Sequence, residues 1–274
     1  MASVALMLGL AAFGSTQAGA TSSLARPAKT SNPLHLIRPG YLVVGMNLVD
    51  KPEMYINTKG QPAGYDVVLI KALAKALGLK LAIENLAWTG LIPGLEAHKF
   101  DIVSVGLDNT ATRRKVISFS QPYVPYEVEL AVPIKSTLPA TVAAWNQPGI
   151  IITAQLGTID QMAAETTFPK ATVSAYATDP EALLEVATGR ANGAIVETYL
   201  IKAFQIANPN EIKALYFPKN VLPVYYAAYA VQKGNNALIS KVNHWICANN
   251  KPGGFMAKAY EGTEGTPFPP MPAC

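Results

Sequence analysis

Apolar and polar positions along the chain follow two rhythms that alternate. Residues 41–46 (YLVVGM) are apolar almost without a break, the pattern of a strand buried on both faces. After a loop over 47–64, Asp66 is placed to cap a helix. Its apolar residues Ile70, Leu73, Ala74 and Leu77 keep the i, i+3, i+4, i+7 spacing, and it stops at Gly78. Lys71 and Lys75 fall on its solvated face. Leu79, Leu81 and Ile83 then alternate as a second strand, Thr89 is placed to cap a helix running to about His98, and 100–105 reads as a third strand. Strand, helix, strand, helix, strand predicts a right-handed parallel α/β unit.

The same grammar returns in the second half. Residues 149–154 form a β-branched strand, Gly157 and Thr158 open a helix through Ala164, and 173–176 is extended. Asp179-Pro180-Glu181 starts another helix that ends at Gly189, and the strand over 194–196 ends in Glu197. Between and after these halves lie two extended runs, 122–134 and 221–231. The prediction is an α/β protein of two lobes, each a mainly parallel sheet flanked by helices, joined by two extended hinge crossings. Lobe 1 takes 41–127 plus 226–274 and lobe 2 takes 128–225, with a final helix over about 236–247 returning to lobe 1.

The polar punctuation after the third strand marks a candidate site. Gly106 breaks the strand, and Asp108, Asn109, Thr110, Thr112, Arg113 and Arg114 put hydrogen-bonding side chains at almost every following position. Open α/β sheets bind ligands at such strand ends. Each half therefore closes its third strand near an acid, Asp108 in one and Glu197 in the other.

Composition narrows the function classes. The 274 residues are half apolar, enough for two modest cores, and a net charge of +4 is spread without a long basic run, which argues against nucleic acid as a partner. Residues 1–20 carry an apolar run and end in Ala18-Gly19-Ala20, the pattern of a signal peptide, although no Lys or Arg precedes the run. The run is shorter than the ~20 residues of a membrane-spanning helix, and no later segment is long enough. Residues 21–39, rich in Ser, Pro and Ala, read as a linker. In an exported chain Cys247 and Cys274 are expected to pair, tying the Gly- and Pro-rich tail to the helix around Trp245. His35, His98 and His244 are scattered, and neither GxSxG, HExxH nor a metal-spaced Cys/His cluster occurs, so no cofactor or metal is expected.

Several segments together resemble the amino-acid-type periplasmic solute-binding proteins of ABC importers, family 3 of the bacterial extracellular solute-binding proteins. They are Gly64-Tyr65-Asp66-Val67, the stretch from Trp88 through Leu95, Lys99-Phe100-Asp101-Ile102, Phe119-Ser120-Gln121-Pro122-Tyr123 and Gln155-Leu156-Gly157-Thr158. The resemblance runs from about Tyr41 to Lys258. It implies a two-lobed type II binding-protein fold, a monomer, and a role in binding an amino acid or related small amine between the lobes and delivering it to a permease in the inner membrane.

By position, the resemblance gives Arg113 the grip on a ligand carboxylate, with Gly106 and Thr110 in the same loop. Gly157 and Thr158, at a helix N-terminus, would receive the carboxylate from the other lobe. Glu197 stands where the family commonly has an Asp for the ligand ammonium, and Asp108 replaces the usual Thr or Ser. The alternative for Asp108 is a loop cap satisfying its own backbone, and for Glu197 a first-turn helix residue; both are compatible with ligand contact. Two acids facing one arginine favour a ligand with an ammonium and a second positive or donor group. Tyr55 is the candidate aromatic over the ligand, Asn47 a further contact, and Trp88 either lines the cleft or belongs to the core.

Two other functions fit the same scaffold. Cyclohexadienyl dehydratases resemble this family and place a catalytic glutamate about one helical turn beyond the acid matched by Glu197, where this chain has Leu200. A leucine donates no proton. A ligand-binding sensor module is the third reading.

Overall fold

The computed structural model describes residues 32–274. The signal peptide expected over 1–20, and the part of the expected linker before Asn32, lie outside the described residues. From Asn32 onward the chain is held against the protein, not free as a linker would be. Leu36 is buried, Asp101 accepts hydrogen bonds from the backbone N–H groups of Ile37 (2.7 Å) and Val43 (2.8 Å), and Asn235 donates to the Leu34 carbonyl (3.0 Å).

The elements follow in order. Strand β1 (Tyr41–Met46) leads to three short strands, β2 (Val49–Asp50), β3 (Met54–Ile56) and β4 (Pro62–Ala63), which form a small antiparallel sheet within the stretch expected to be a loop. Helix α1 (Tyr65–Ala76), β5 (Lys80–Asn85), α2 (Leu91–Glu96) and β6 (Ile102–Val103) complete the first α/β unit, with β1 parallel to both β5 and β6. Strand β7 (Ile117–Pro133) then runs as one strand of 17 residues through the molecule.

Helix α3 (Val142–Trp145), β8 (Ile151–Gln155), α4 (Ile159–Thr167), β9 (Thr172–Tyr176), α5 (Asp179–Ala187) and β10 (Gly193–Glu197) repeat the unit, with β8 parallel to β9 and β10. Helix α6 (Thr198–Ala207) and β11 (Ile212–Leu215) follow, then the second crossing β12 (Val224–Gln232), α7 (Asn236–Asn249) and α8 (Phe255–Glu264). Strands order as β5-β1-β6-β12-β7-β10-β8-β9, with β11 on β7, and β12 runs antiparallel beside β7.

The buried apolar residues divide at the crossing strands. One cluster draws on Leu36 to Tyr126 and Ala227 to Met256, and two smaller clusters on Val128 to Leu222. The crossings alternate because their two faces differ: Val124, Tyr126, Val128 and Leu130 are buried while Glu127 is exposed. Their register slips between Ala227 and Ala230, and there Asp108 forms an isolated bridge with Ala227.

Several expected caps are taken by other residues. Asp66 does not cap α1, whose N-cap is Gly64 without a side-chain bond. Buried instead, Asp66 accepts from the Tyr123 hydroxyl (2.9 Å) and the Gly106 N–H (3.1 Å). Thr89 lies in a 3₁₀ turn and Gly90 precedes α2. Helix α5 is capped by Thr178 through a capping box with Glu181, which frees Asp179 to point elsewhere. Thr158 does cap α4, accepting from the Gln161 N–H.

Cys247 and Cys274 form the expected disulfide. The tail is also fixed by an aromatic ladder, Tyr65 against Tyr260 (5.2 Å between centroids) and Tyr260 against Phe268 (5.4 Å). Replacing both cysteines by serine is expected to lower unfolding stability by up to about 3.5 kcal/mol, the loop-entropy value for a closure of this length. An unchanged urea midpoint would show that the ladder holds the tail alone.

Lobe 1 also buries a knot of acids beneath its cleft face. Desolvation pushes Asp66 up to about 7 against the Tyr123 and Gly106 hydrogen bonds, and pushes Glu264 up to about 7. Glu53, wholly buried and bonded to the Tyr126 hydroxyl, is raised well above the carboxylate range by desolvation and by its acidic neighbours. Carboxyls whose folded pKa is raised hold protons that the unfolded chain releases, so stability falls as pH rises from the unfolded value to the folded one. The unfolding midpoint of the ligand-free protein is expected to climb as pH drops from about 8 to about 5, measured by thermal melts in matched ionic strength. A midpoint that falls over that range would contradict these assignments.

Candidate functional site

The ends of β6, β8 and β10 and the crossing strands meet at one cleft. The loop after β6 reaches it because Gly106 takes a positive φ of 66°, and a Cβ there would lie 2.7 Å from the Tyr126 ring. Asp66 and Tyr123 hold the Gly106 N–H from below, and the Ala228 N–H donates to the Leu107 carbonyl (2.9 Å), so the loop carrying Asp108 is fixed to the crossing strand β12.

From the other lobe, three helix N-termini converge. Glu197 ends β10 and precedes α6, Asp179 is the first residue of α5, and Asp160 is in the first turn of α4. One oxygen from each lies within 4.8 Å of the others. Helix macrodipoles favour carboxylates at these positions, which is why α/β geometry tolerates placing three together. Asp50, from β2 of the first lobe, joins the same cleft.

These acids are deeply enclosed, with Asp160 1%, Asp50 3% and Asp179 3% exposed. One buried carboxylate oxygen of each of Asp50, Asp108, Asp179 and Glu197 lacks a hydrogen-bond donor among the described residues, and the Asp160 carboxyl has no neighbour to bond but Glu197, with which it can share a proton. Desolvation, reinforced by Glu197, pushes Asp50 up to about 8. Asp160 and Asp179 are raised well above the usual range, first by desolvation and then by Glu197. Glu197 is raised by desolvation, opposed by the hydrogen bond it accepts from the Tyr225 hydroxyl. Tyr126, Tyr199 and Tyr225 form the aromatic wall, with Tyr126 5.5 Å from Tyr199 and 5.6 Å from Tyr225 between centroids.

Arg113 is paired within the protein. Its Nη1 donates to the Asp108 carboxylate and to the Asp108 carbonyl (3.2 Å), and its Nη2 crosses the cleft to the Gly157 carbonyl (3.0 Å). The guanidinium carbon lies 5.8 Å from the Trp88 ring centre, and the Trp88 Nε1–H also points to the Gly157 carbonyl (3.3 Å). Gly157 thus meets the first lobe through its carbonyl, while its N–H donates to the Gln161 side chain (2.8 Å). The free N–H expected at Gly157 for a ligand carboxylate is already engaged.

Of the sequence candidates, Gly106, Asp108, Trp88, Thr158 and Glu197 line the cleft, and Arg113 and Gly157 bridge it. Thr110 instead accepts from the Arg113 backbone N–H (3.2 Å), and Asn47 donates to the Leu86 carbonyl (3.0 Å). Tyr55 is half-buried beside Lys51, 5.6 Å from its ring centre, whereas its neighbour Met54 lines the cleft. A strand turns alternate residues to opposite faces, so a one-residue offset in β3 exchanges them. Asp50, Asp160, Tyr126, Tyr199 and Tyr225 are not among the sequence candidates, and Asp179 enters there only as a helix start. Acids at several helix starts and tyrosines spaced along two extended runs are the signals that point to them.

Residues 42–261 match the family model for bacterial extracellular solute-binding proteins, family 3. The ABC transporter arginine-binding protein 1 of Escherichia coli (strain K12) is 29% identical over 207 residues, covering 74% of this chain and 83% of that protein. Among solved structures, an ancestral amino acid-binding protein described as a precursor of cyclohexadienyl dehydratase aligns with a TM-score of 0.74 at 31% identity, over 82% of this chain and 95% of its own. A binding component of an ABC transporter from Wolinella succinogenes, complexed with lysine, aligns with a TM-score of 0.76 at 28% identity, over 84% of this chain and 97% of its own. With its fold, its cleft beside the two crossing strands and a family match over most of its length, the chain belongs to family 3 of the bacterial extracellular solute-binding proteins.

Proposed function

We propose that this protein is the substrate-binding component of an amino-acid-type ABC importer, acting in the periplasm after export and delivering an amino acid or related small amine to an inner-membrane permease. The observation that carries this reading is the acid-lined cleft between lobes that already touch through Gly157. A positive group entering that cleft meets acceptors that lack partners, and closing the lobes removes both from water. Relatives named for arginine binding and a neighbour complexed with lysine support a ligand bearing an ammonium or guanidinium. Among the described residues no helix is long and apolar enough to cross a membrane. No nucleic-acid role is proposed, and the protein acts as a monomer.

Binding and release need no chemical step. Leu200, matched to the dehydratase acid, is buried in an apolar cluster beside Leu183 and Ile201 and can neither give nor take a proton. Incubation with prephenate or arogenate is expected to give no turnover above buffer, and saturable elimination would replace the transport reading with an enzymatic one.

Glu197→Gln offers a sharper check. Removing one charge from the repelling group is expected to raise the melting temperature of the ligand-free protein while weakening binding of cationic solutes by about 10- to 100-fold, the range for losing a charge-assisted contact. Calorimetry and thermal melts on the same preparation read both signs. Lower stability with unchanged affinity would make Glu197 a structural residue.

A further inference from the structure

Resting on the solute-receptor reading above, we infer that the ligand is a small organic dication without a carboxylate, a diamine or guanidino-amine, and that Asp108 is the residue that excludes the corresponding amino acids. Three observations carry it.

The first is the state of Arg113. Both hydrogen bonds from its Nη1 go to Asp108, so the Arg113 guanidinium, which bridges the cleft, is matched in charge by a carboxylate five residues away on the same loop. A ligand carboxylate approaching Arg113 would have to displace the Asp108 carboxylate or lie beside it, and two carboxylates on one guanidinium repel. Asp108 is 3% exposed, and its loop is bridged to β12 at Ala227, so it has little freedom to swing aside.

The second is the other place where a carboxylate could dock. At the start of α4 the Gly157 N–H is on Gln161 Oε1 and the Gln161 N–H on Thr158 Oγ1, which leaves the Thr158 and Ile159 N–H groups as the donors facing the cleft. The Gly157 carbonyl faces the cleft and accepts from Arg113 and Trp88. A carboxylate approaching Gly157 meets an acceptor, and one reaching the Thr158 and Ile159 N–H groups shares the cavity with Asp50, Asp179 and Glu197, which repel it.

The third is what remains. Asp50, Asp179 and Glu197 line the cleft with unpartnered oxygens, Asp160 is buried beside the last two, and among the described residues lining it there is no lysine or arginine. One ammonium cannot satisfy three lining acids on two lobes. Two cationic groups, or an ammonium with a guanidinium, offset more of that charge and bring donors to both lobes, and Tyr126, Tyr199 and Tyr225 suit an apolar linker with cationic ends.

The test compares amino acids with their own decarboxylated forms on the purified protein at pH 7.5: lysine against cadaverine, ornithine against putrescine, arginine against agmatine. Thermal shift followed by calorimetry should give at least one decarboxylated member binding tenfold or more tighter than its amino acid. Asp108→Ser, which frees the Arg113 fork, should narrow or reverse that ratio, and the near-isosteric Asp108→Asn should do the same with less change in packing. An amino acid binding as tightly as its decarboxylated form overturns the dication assignment and leaves the receptor reading standing. Calcium chloride alone raising the melting temperature more than any diamine would overturn it in favour of a metal site. If neither amines, amino acids nor calcium shift the melt, the dication and receptor readings fail together.

Discussion

Concentrating carboxylates in a cleft that excludes water is the constraint on which this structure turns. Each acid alone sits well: at the end of a strand, at the start of a helix, or within reach of a tyrosine hydroxyl. Together they repel, and desolvation pushes them toward their protonated forms. A fold selected for stability alone would fill these positions with apolar residues of similar size. The arrangement becomes favourable when a cation stands among them, so the site is complementary to a ligand and not to itself.

That constraint explains the architecture around it. In this structure the acids are close and dry beside the two crossing strands; a parting of the lobes about those strands would set them apart and hydrate them. The rigid half of the site is the first lobe. There Asp66, Tyr123 and Gly106 fix one end of the loop and the bridge from Asp108 to Ala227 fixes the other. The second lobe brings its acids on helix starts, whose positions follow from strand order and not from flexible loops.

How far the sequence discloses this can be argued residue by residue. Strand β1, helix α1 and the β8-to-β10 repeat are legible because burial writes a periodicity of two or 3.6 into the chain. Arg113, Asp108 and Glu197 are legible because each follows a strand end. Asp160 and Asp179 are not, since an acid in the first turn of a helix is already explained by the macrodipole, and nothing local says that three such turns face one point. Tyr126 and Tyr225 look like ordinary strand aromatics until β7 and β12 lie side by side. Tyr55 in place of Met54 shows the limit from the other direction, because in a strand of three residues one step decides which face a side chain takes. The small sheet β2-β3-β4 was hidden for a related reason: strands this short carry too few positions for alternation to register.

The same acids also tie ligand binding to lobe closure. A ligand moves a two-state equilibrium only by the difference in its affinity for the two states. In the separated form a cation would meet acids from one lobe in water, where each contact is weak. In the closed form it would meet Asp50 and Asp108 from one side and Asp179 and Glu197 from the other, in a cleft walled by Tyr126, Tyr199 and Tyr225. Without a cation, closure desolvates acids that repel; with one, closure is what makes the attraction strong. The direct contacts at Gly157 are two hydrogen bonds and hold little on their own. On the reading proposed above, the selectivity of closure would therefore reside in the charge of the solute.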